Sequence, residues 1–218
     1  MMNLGRKCGM LVAIAVLCFC GSASADIVTL DLLHMSGAPA GYPSGTDSIF
    51  PYAFSINGSS KVTNLACDDF IHGTKPNPWT ATRNAVPDVN ASNSYFFSKY
   101  GMAGYVEAAF LVEELYSATT QLERADLQWA LWAIFDPVIA TSGRLTPTAL
   151  ADYNTAKGHS GDNPDMYSDV WVYTPVTNVN GVWDVENPGV QQEFMGVPET
   201  RTSTLLGAGL VGLVALML

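Results

Sequence analysis

The stretch that most constrains this chain is Asp126–Pro137, which reads DLQWALWAIFDP. It is the most aromatic and least polar helical run in the body of the protein, and an aromatic helix of this kind belongs in a core. Its single uncharged polar side chain, Gln128, lies deep inside the apolar sequence. A buried carboxamide without partners costs about 1–3 kcal/mol. Gln128 therefore bonds to backbone, for instance at a sheet edge, or it is no longer an intact amide in the mature protein. The second option draws in Cys67, in the segment LACDDF. It is the only cysteine outside an N-terminal run that carries Cys8, Cys18 and Cys20.

Elements on either side can be read from pattern. Ile27–Leu33 alternates, with Val28, Leu30 and Leu32 on one face and Ile27, Thr29 and Asp31 on the other, which predicts a strand. Phe50–Ile56 and Ser60–Cys67 flank Asn57-Gly58, a dipeptide suited to a hairpin turn because both central positions take positive φ. That hairpin puts Cys67 at a strand end. Trp79–Val86 predicts another strand. Helices are expected near 104–117, 121–136 and 147–157. The first shows Tyr105, Ala108, Ala109, Val112 and Leu115 on one face, with Glu107, Glu113 and Glu114 on the others. The second opens on a Thr120…Glu123 capping box and stops at Pro137. The third runs from Thr146 and Pro147 to Gly158. Strand patterns return at Val170–Val176, Val182–Val185 and Gln192–Met195. Strands outside and helices in the middle imply an α+β fold: one β-rich domain, sandwich- or barrel-like, with a helical insertion.

Both ends read as addressing segments. Arg6 and Lys7 precede the apolar run Cys8–Cys20, and Ala23-Ser24-Ala25 supplies small residues for cleavage. Residues 1–25 are thus expected to be a signal peptide, with the single domain over 26–196 and a hydrophobic segment over 197–218. Within the body stand seven basic and 19 acidic residues, a charge near −12. Such a surface repels phosphate backbones and anionic membranes, so nucleic acid is not an expected partner.

The C-terminal VPETRTSTLLGAGLVGLVALML resembles the PEP-CTERM sorting signal of exported bacterial proteins. Val197, Pro198 and Glu199, the following Ser203 and Thr204, and the Leu205–Leu218 run carry the likeness. Thr200 stands where that signal has a second proline, and no basic cluster follows Leu218. The resemblance implies processing by an exosortase-type membrane protease. It also implies attachment to the membrane through the C-terminal helix beforehand, and a final place at the cell surface or in an exopolysaccharide matrix. Leu205–Leu218 extends about 21 Å as a helix, short of a hydrocarbon core of about 30 Å.

Gln128-Trp129-Ala130-Leu131-Trp132 resembles the Gln-x-Ala-aliphatic-Trp motif of thioester domains in bacterial surface adhesins. In that family an upstream cysteine near a strand end is joined through sulfur to the side-chain carbonyl of this glutamine, a position that Cys67 matches. Leu127 stands where the family usually has threonine. The resemblance implies a Cys67–Gln128 cross-link shielded by Leu131 and Trp132, one helical turn from Gln128, with no cofactor, no metal and no enzymatic turnover. The expectation is an exported surface or matrix protein that attaches covalently to a surface, polysaccharide or protein target. A passive matrix or carbohydrate-binding component is the alternative, with exposed members of Trp79, Trp171 and Trp183 stacking on sugars. A secreted cysteine hydrolase would pair Cys67 with His72 or His159. Asp68 and Asp69 read as a solvated strand end, and Asp162-Asn163-Pro164-Asp165 as a polar turn.

Overall fold

The computed structural model describes residues 26–43, 47–73, 78–179, 182–185 and 191–197. The expected signal peptide, the sorting residues Pro198 and Glu199 and the hydrophobic tail lie outside the described residues. Eight strands are described: β1 (Asp26–Gly37), β2 (Ser48–Ile56), β3 (Val62–Cys67), β4 (Trp79–Ala85), β5 (Trp171–Pro175), β6 (Thr177–Val179), β7 (Val182–Asp184) and β8 (Phe194–Gly196). Six of them close into an antiparallel barrel in the order β1-β2-β3-β8-β5-β4, while β6 and β7 form a separate hairpin. Four helices, α1 (Phe97–Ser117), α2 (Gln121–Phe135), α3 (Pro137–Thr141) and α4 (Pro147–Lys157), lie between β4 and β5. The fold is a β-rich α+β domain with a helical insertion.

Side-chain alternation sorts the strands into two faces. Val28, Leu30 and Leu32 of β1 point inward with Phe54, Leu65, Cys67, Ala81, Tyr173 and Phe194 to fill the barrel. Phe54 meets both Trp79 and Phe194 edge-on, with ring centroids 5.6 and 4.9 Å apart. Trp79 is thereby buried inside the barrel and offers no platform to a sugar. Trp171 is half-buried beneath the Arg83 guanidinium, 4.8 Å from its ring, and the Trp183 side chain lies outside the described residues. The β2–β3 connection turns at Asn57 (φ 53°) and Gly58 (φ 69°), the positive values that this pair accepts without a steric penalty.

The outer strand face carries the helices. Phe50, Ala66, Val172 and Met195 pack on Tyr105, Ala108, Ala109 and Val112 of α1 and on Ala130, Leu131 and Ile134 of α2. The opposite side of α2 does not reach water either. Trp129, Trp132, Ala125 and Ala133 are covered by Tyr42 from the β1–β2 loop, by Ile49 from β2, and by Ile139 and Ala149 from α3 and α4. Helix α2 is therefore enclosed on two sides, and this accounts for its lack of a polar face. It opens on the expected capping box, Thr120 accepting from Glu123 N while the Glu123 carboxylate accepts from Thr120 N.

Helix α1 differs from the sequence reading in two ways. Helix α1 begins at Phe97, because Gly101 (φ 62°, ψ −167°) lets a preceding turn join it across a kink. Glu107 is buried rather than solvated: its carboxylate accepts from Lys157 Nζ at 2.7 and 2.8 Å, which neutralises it between α1 and α4. The close approach of α1 to α2 rests on Gly104, where an added Cβ would stand 2.7 Å from Tyr100 Cβ and 3.3 Å from the Phe135 ring. Alanine normally improves a helix interior by up to about 1 kcal/mol over glycine. Here overpacking, about 1–3 kcal/mol, outweighs that gain, so Gly104→Ala is expected to lower the urea midpoint; an unchanged or raised midpoint would show that α1 and α2 have room to separate.

Candidate functional site

Cys67 is the last residue of β3, and its side chain points into the barrel near the end covered by α2. Gln128 lies on α2 between two stripes: Leu131 faces the cluster shared with α1, while Trp132 faces the cluster shared with Phe70, Tyr42 and Ile49. That angular position aims Gln128 at the end of β3. Its Nε2–H donates to the Cys67 backbone carbonyl, and both residues are fully buried. The other half of the carboxamide, Oε1, is buried with no hydrogen-bond partner among the described residues. The sequence thus foretells a helix and a strand end, and packing sets the Gln128 side chain against the Cys67 backbone carbonyl in a buried site.

Around the sulfur the groups are mostly apolar or uncharged. The thiol donates to the Asp69 backbone carbonyl at 3.1 Å. Burial pushes the Cys67 pKa well up, and the nearby Asp69 and Asp68 carboxyls push the same way, with hydrogen bonds from the Asp69 backbone and the Trp132 indole to the sulfur opposing. The resting group is a protonated thiol. Phe70 stacks obliquely on Trp129 and Trp132, at centroid distances of 5.4 and 5.0 Å, and closes the site from outside. A cleft of about 330 Å³ opens beyond this lid, lined by Met35, Asp47, Ser48, Tyr52, Phe70, Trp132 and Gln192. Trp132 and Tyr52 line this cleft and also lie beside Cys67.

The acidic pair after Cys67 is not solvated. Asp68 and Asp69 are both fully buried. Asp69 accepts from the backbone N–H groups of Ile71 and His72 at 2.9 and 3.1 Å, and its Oδ2 lies 2.6 Å from His72 Nδ1. Its carbonyl also accepts from Gln192 Nε2 at 2.6 Å. Asp68 meets Glu193, a third fully buried acid. Sequence reasoning passes over Glu193 because a lone glutamate beside a short strand pattern carries no motif. The one available signal is its place between Gln192 and Phe194, where alternation leaves it on the helix-facing side.

The remaining expectations can be placed directly. His72 is held by Asp69, and His159 lies on the far side of α1, stacked on Phe110 at 4.0 Å and paired with Asp162 at 2.8 Å. Among the described residues neither histidine hydrogen-bonds the Cys67 sulfur, whose thiol donates to a backbone oxygen. Asp162–Asp165 leads into a 3₁₀ turn capped by Asn163, and no group of three metal-ligating side chains occurs among the described residues. Val197 packs on the core shared with α1. Among the described residues no helix is long and apolar enough to cross a membrane.

Because Trp132 covers the sulfur, its removal should uncover Cys67 before it unfolds the domain. In a Gln128→Ala background, where the thiol has no side chain to join, Trp132→Ala is expected to cost about 3–5 kcal/mol. It should also raise the rate of Cys67 alkylation about tenfold or more under native conditions; equal rates would mean that another group guards the sulfur. Comparison of the chain with protein-family models, with curated proteins and with solved structures finds no match in any of the three.

Proposed function

We propose that this is an exported surface or matrix protein whose body attaches covalently to a partner through an internal thioester between Cys67 and Gln128. The observation that carries the reading is the meeting of these two residues in a fully buried site, with the Gln128 carboxamide on the Cys67 carbonyl and its own oxygen unpartnered. Closing the bond adds the thiol sulfur to the Gln128 side-chain carbonyl carbon and breaks the carbon–nitrogen bond. The thiol proton ends on the departing nitrogen, which leaves as ammonia. A thioester is prone to hydrolysis and persists only where water is scarce, a condition supported by the burial of Leu131 and Trp132 and by the Phe70 lid. An amine entering from the cleft would form an amide to Gln128 and release Cys67 as a thiol. Delivery rests on the two terminal segments, with an exosortase-type protease removing the second.

The passive-scaffold reading draws on the same hydrogen bond, since an amide satisfied by a backbone carbonyl is also an ordinary core arrangement. Its sugar-stacking version is weakened by the burial of Trp79. Intact mass separates the two. The freshly purified mature domain is expected to weigh one ammonia less than its sequence, and methylamine should add to Gln128 while freeing one thiol. Cys67→Ala and Gln128→Ala should each abolish both effects. A full sequence mass, with glutamine intact at position 128 by peptide sequencing, would leave the passive scaffold standing; glutamate there would instead record a bond formed and hydrolysed.

A further inference from the structure

Glu193 is fully buried, yet its oxygens are well supplied with donors. Oε1 accepts from Tyr105 Oη at 2.6 Å, and Oε2 accepts from Tyr95 N at 3.1 Å and from the Thr174 hydroxyl. Asp68 beside it is equally buried, and neither of its oxygens has a donor among the described residues. An ionised carboxylate stripped of both water and donors is among the costliest groups that a protein can hold. The contrast disappears if Asp68 carries a proton and donates it to the Glu193 carboxylate. The register places the pair where this can happen. Ala66 stands opposite Met195 and Cys67 opposite Phe194; Asp68 and Glu193 are the residues just past these last paired positions, and their side chains meet there. Both then share the face of Ala66 and Met195, which packs on α1 and receives Tyr105.

We propose that Asp68 and Glu193 share one proton in the folded protein, and that this pair is a positioning element for the Cys67–Gln128 site, holding the end of β3 on β8 so that the sulfur stays beneath the glutamine. The seam that it locks is short, two register pairs against a three-residue strand. The sharing stands on the geometry alone; the positioning rests on the thioester reading. Groups facing the pair are Tyr105 from α1, Tyr95 from the segment before it, Thr174 from β5, and Asp69 and Cys67 from the end of β3. Those directly against it are uncharged or acidic, and the His72 imidazole stands one residue further out, 2.6 Å from Asp69 Oδ2 and against the Tyr95 ring. Loss of the shared proton would leave two unscreened negative charges across the seam, and repulsion would part the strands.

The sign of the pH dependence follows. Burial and the Glu193 charge raise the folded-state pKa of Asp68 above its unfolded value. Its contribution is complete below the ordinary carboxylate range and is lost as pH rises toward the folded value. One measurement tests the shared proton with no bond present. In full-chain Gln128→Ala, the folded-to-unfolded ratio from urea titrations should fall about tenfold per pH unit above about pH 5, relative to the same chain bearing Asp68→Asn. Asparagine donates to Glu193 without titrating. Parallel pH profiles would overturn the sharing, and Glu193→Gln serves as the comparison if Asp68→Asn does not fold.

The second measurement tests positioning. Chains with Gln128 intact are refolded across the same pH range and assayed for ammonia loss by intact mass. Thiol ionisation alone makes bond formation faster as pH rises. The wild type is expected to fall instead, while Asp68→Asn keeps the rise. Ammonia loss with the same profile in both overturns the positioning role and leaves the thioester reading in place. No ammonia loss in either removes the thioester reading and the positioning with it, and the urea titrations still decide the shared proton.

Discussion

Enclosure of α2 is the constraint on which the rest of the structure depends. A helix packed on one side can turn polar residues outward, but α2 has the barrel and α1 on one side and Tyr42, Ile49, α3 and α4 on the other. Every side chain from Gln128 to Phe135 is consequently buried, and every polar atom among them needs an answer inside the protein. Asp126, at the margin, is answered by Tyr42 Oη at 2.9 Å and Thr146 Oγ1 at 2.6 Å, which pin the first loop and the start of α4 to the helix. Gln128 is answered on its nitrogen only.

The barrel supplies the other half of this arrangement. A closed sheet has no free edge, yet β3 ends at Cys67 and β8 is only three residues long. The chain beyond this short seam leaves the ladder, and its backbone groups become available to side chains. Gln128 and Gln192 donate to the Cys67 and Asp69 carbonyls, and the Asp69 carboxylate takes the Ile71 and His72 amides. The site therefore sits where regular hydrogen bonding stops and side chains take over. A buried thiol and carboxamide tolerate that environment as neutral groups, and three buried acids tolerate it only through protons, donors or an ion pair.

Much of this was legible one element at a time. Val28, Leu30 and Leu32 announce the inner face of β1, Asn57-Gly58 announces the turn, and Thr120 with Glu123 announces the start of α2. Each is a local preference written within a few residues. The burial of Asp68 and Glu107 runs against expectation for a shared reason: the groups that make burial tolerable lie far along the chain, whereas the Asp69 carboxylate is met locally by Ile71 and His72. Glu107 depends on Lys157, and Asp68 on Glu193. Local pattern carries no record of such partners.

The sequence by itself determined the type and order of the main strands and of three helices, the apolar character of α2, and the presence of one cysteine and one glutamine in an apolar helix in the body of the chain. Tertiary structure alone decided that six strands close into a barrel, that Trp79 turns inward, and that Gln128 meets the end of β3. It also brought Asp68 to Glu193 just past the paired ends of β3 and β8. The physical reason is range. Propensity, capping and alternation act over a turn or two of chain, whereas closure and enclosure join residues many tens of positions apart, where only packing of the whole domain selects the neighbours.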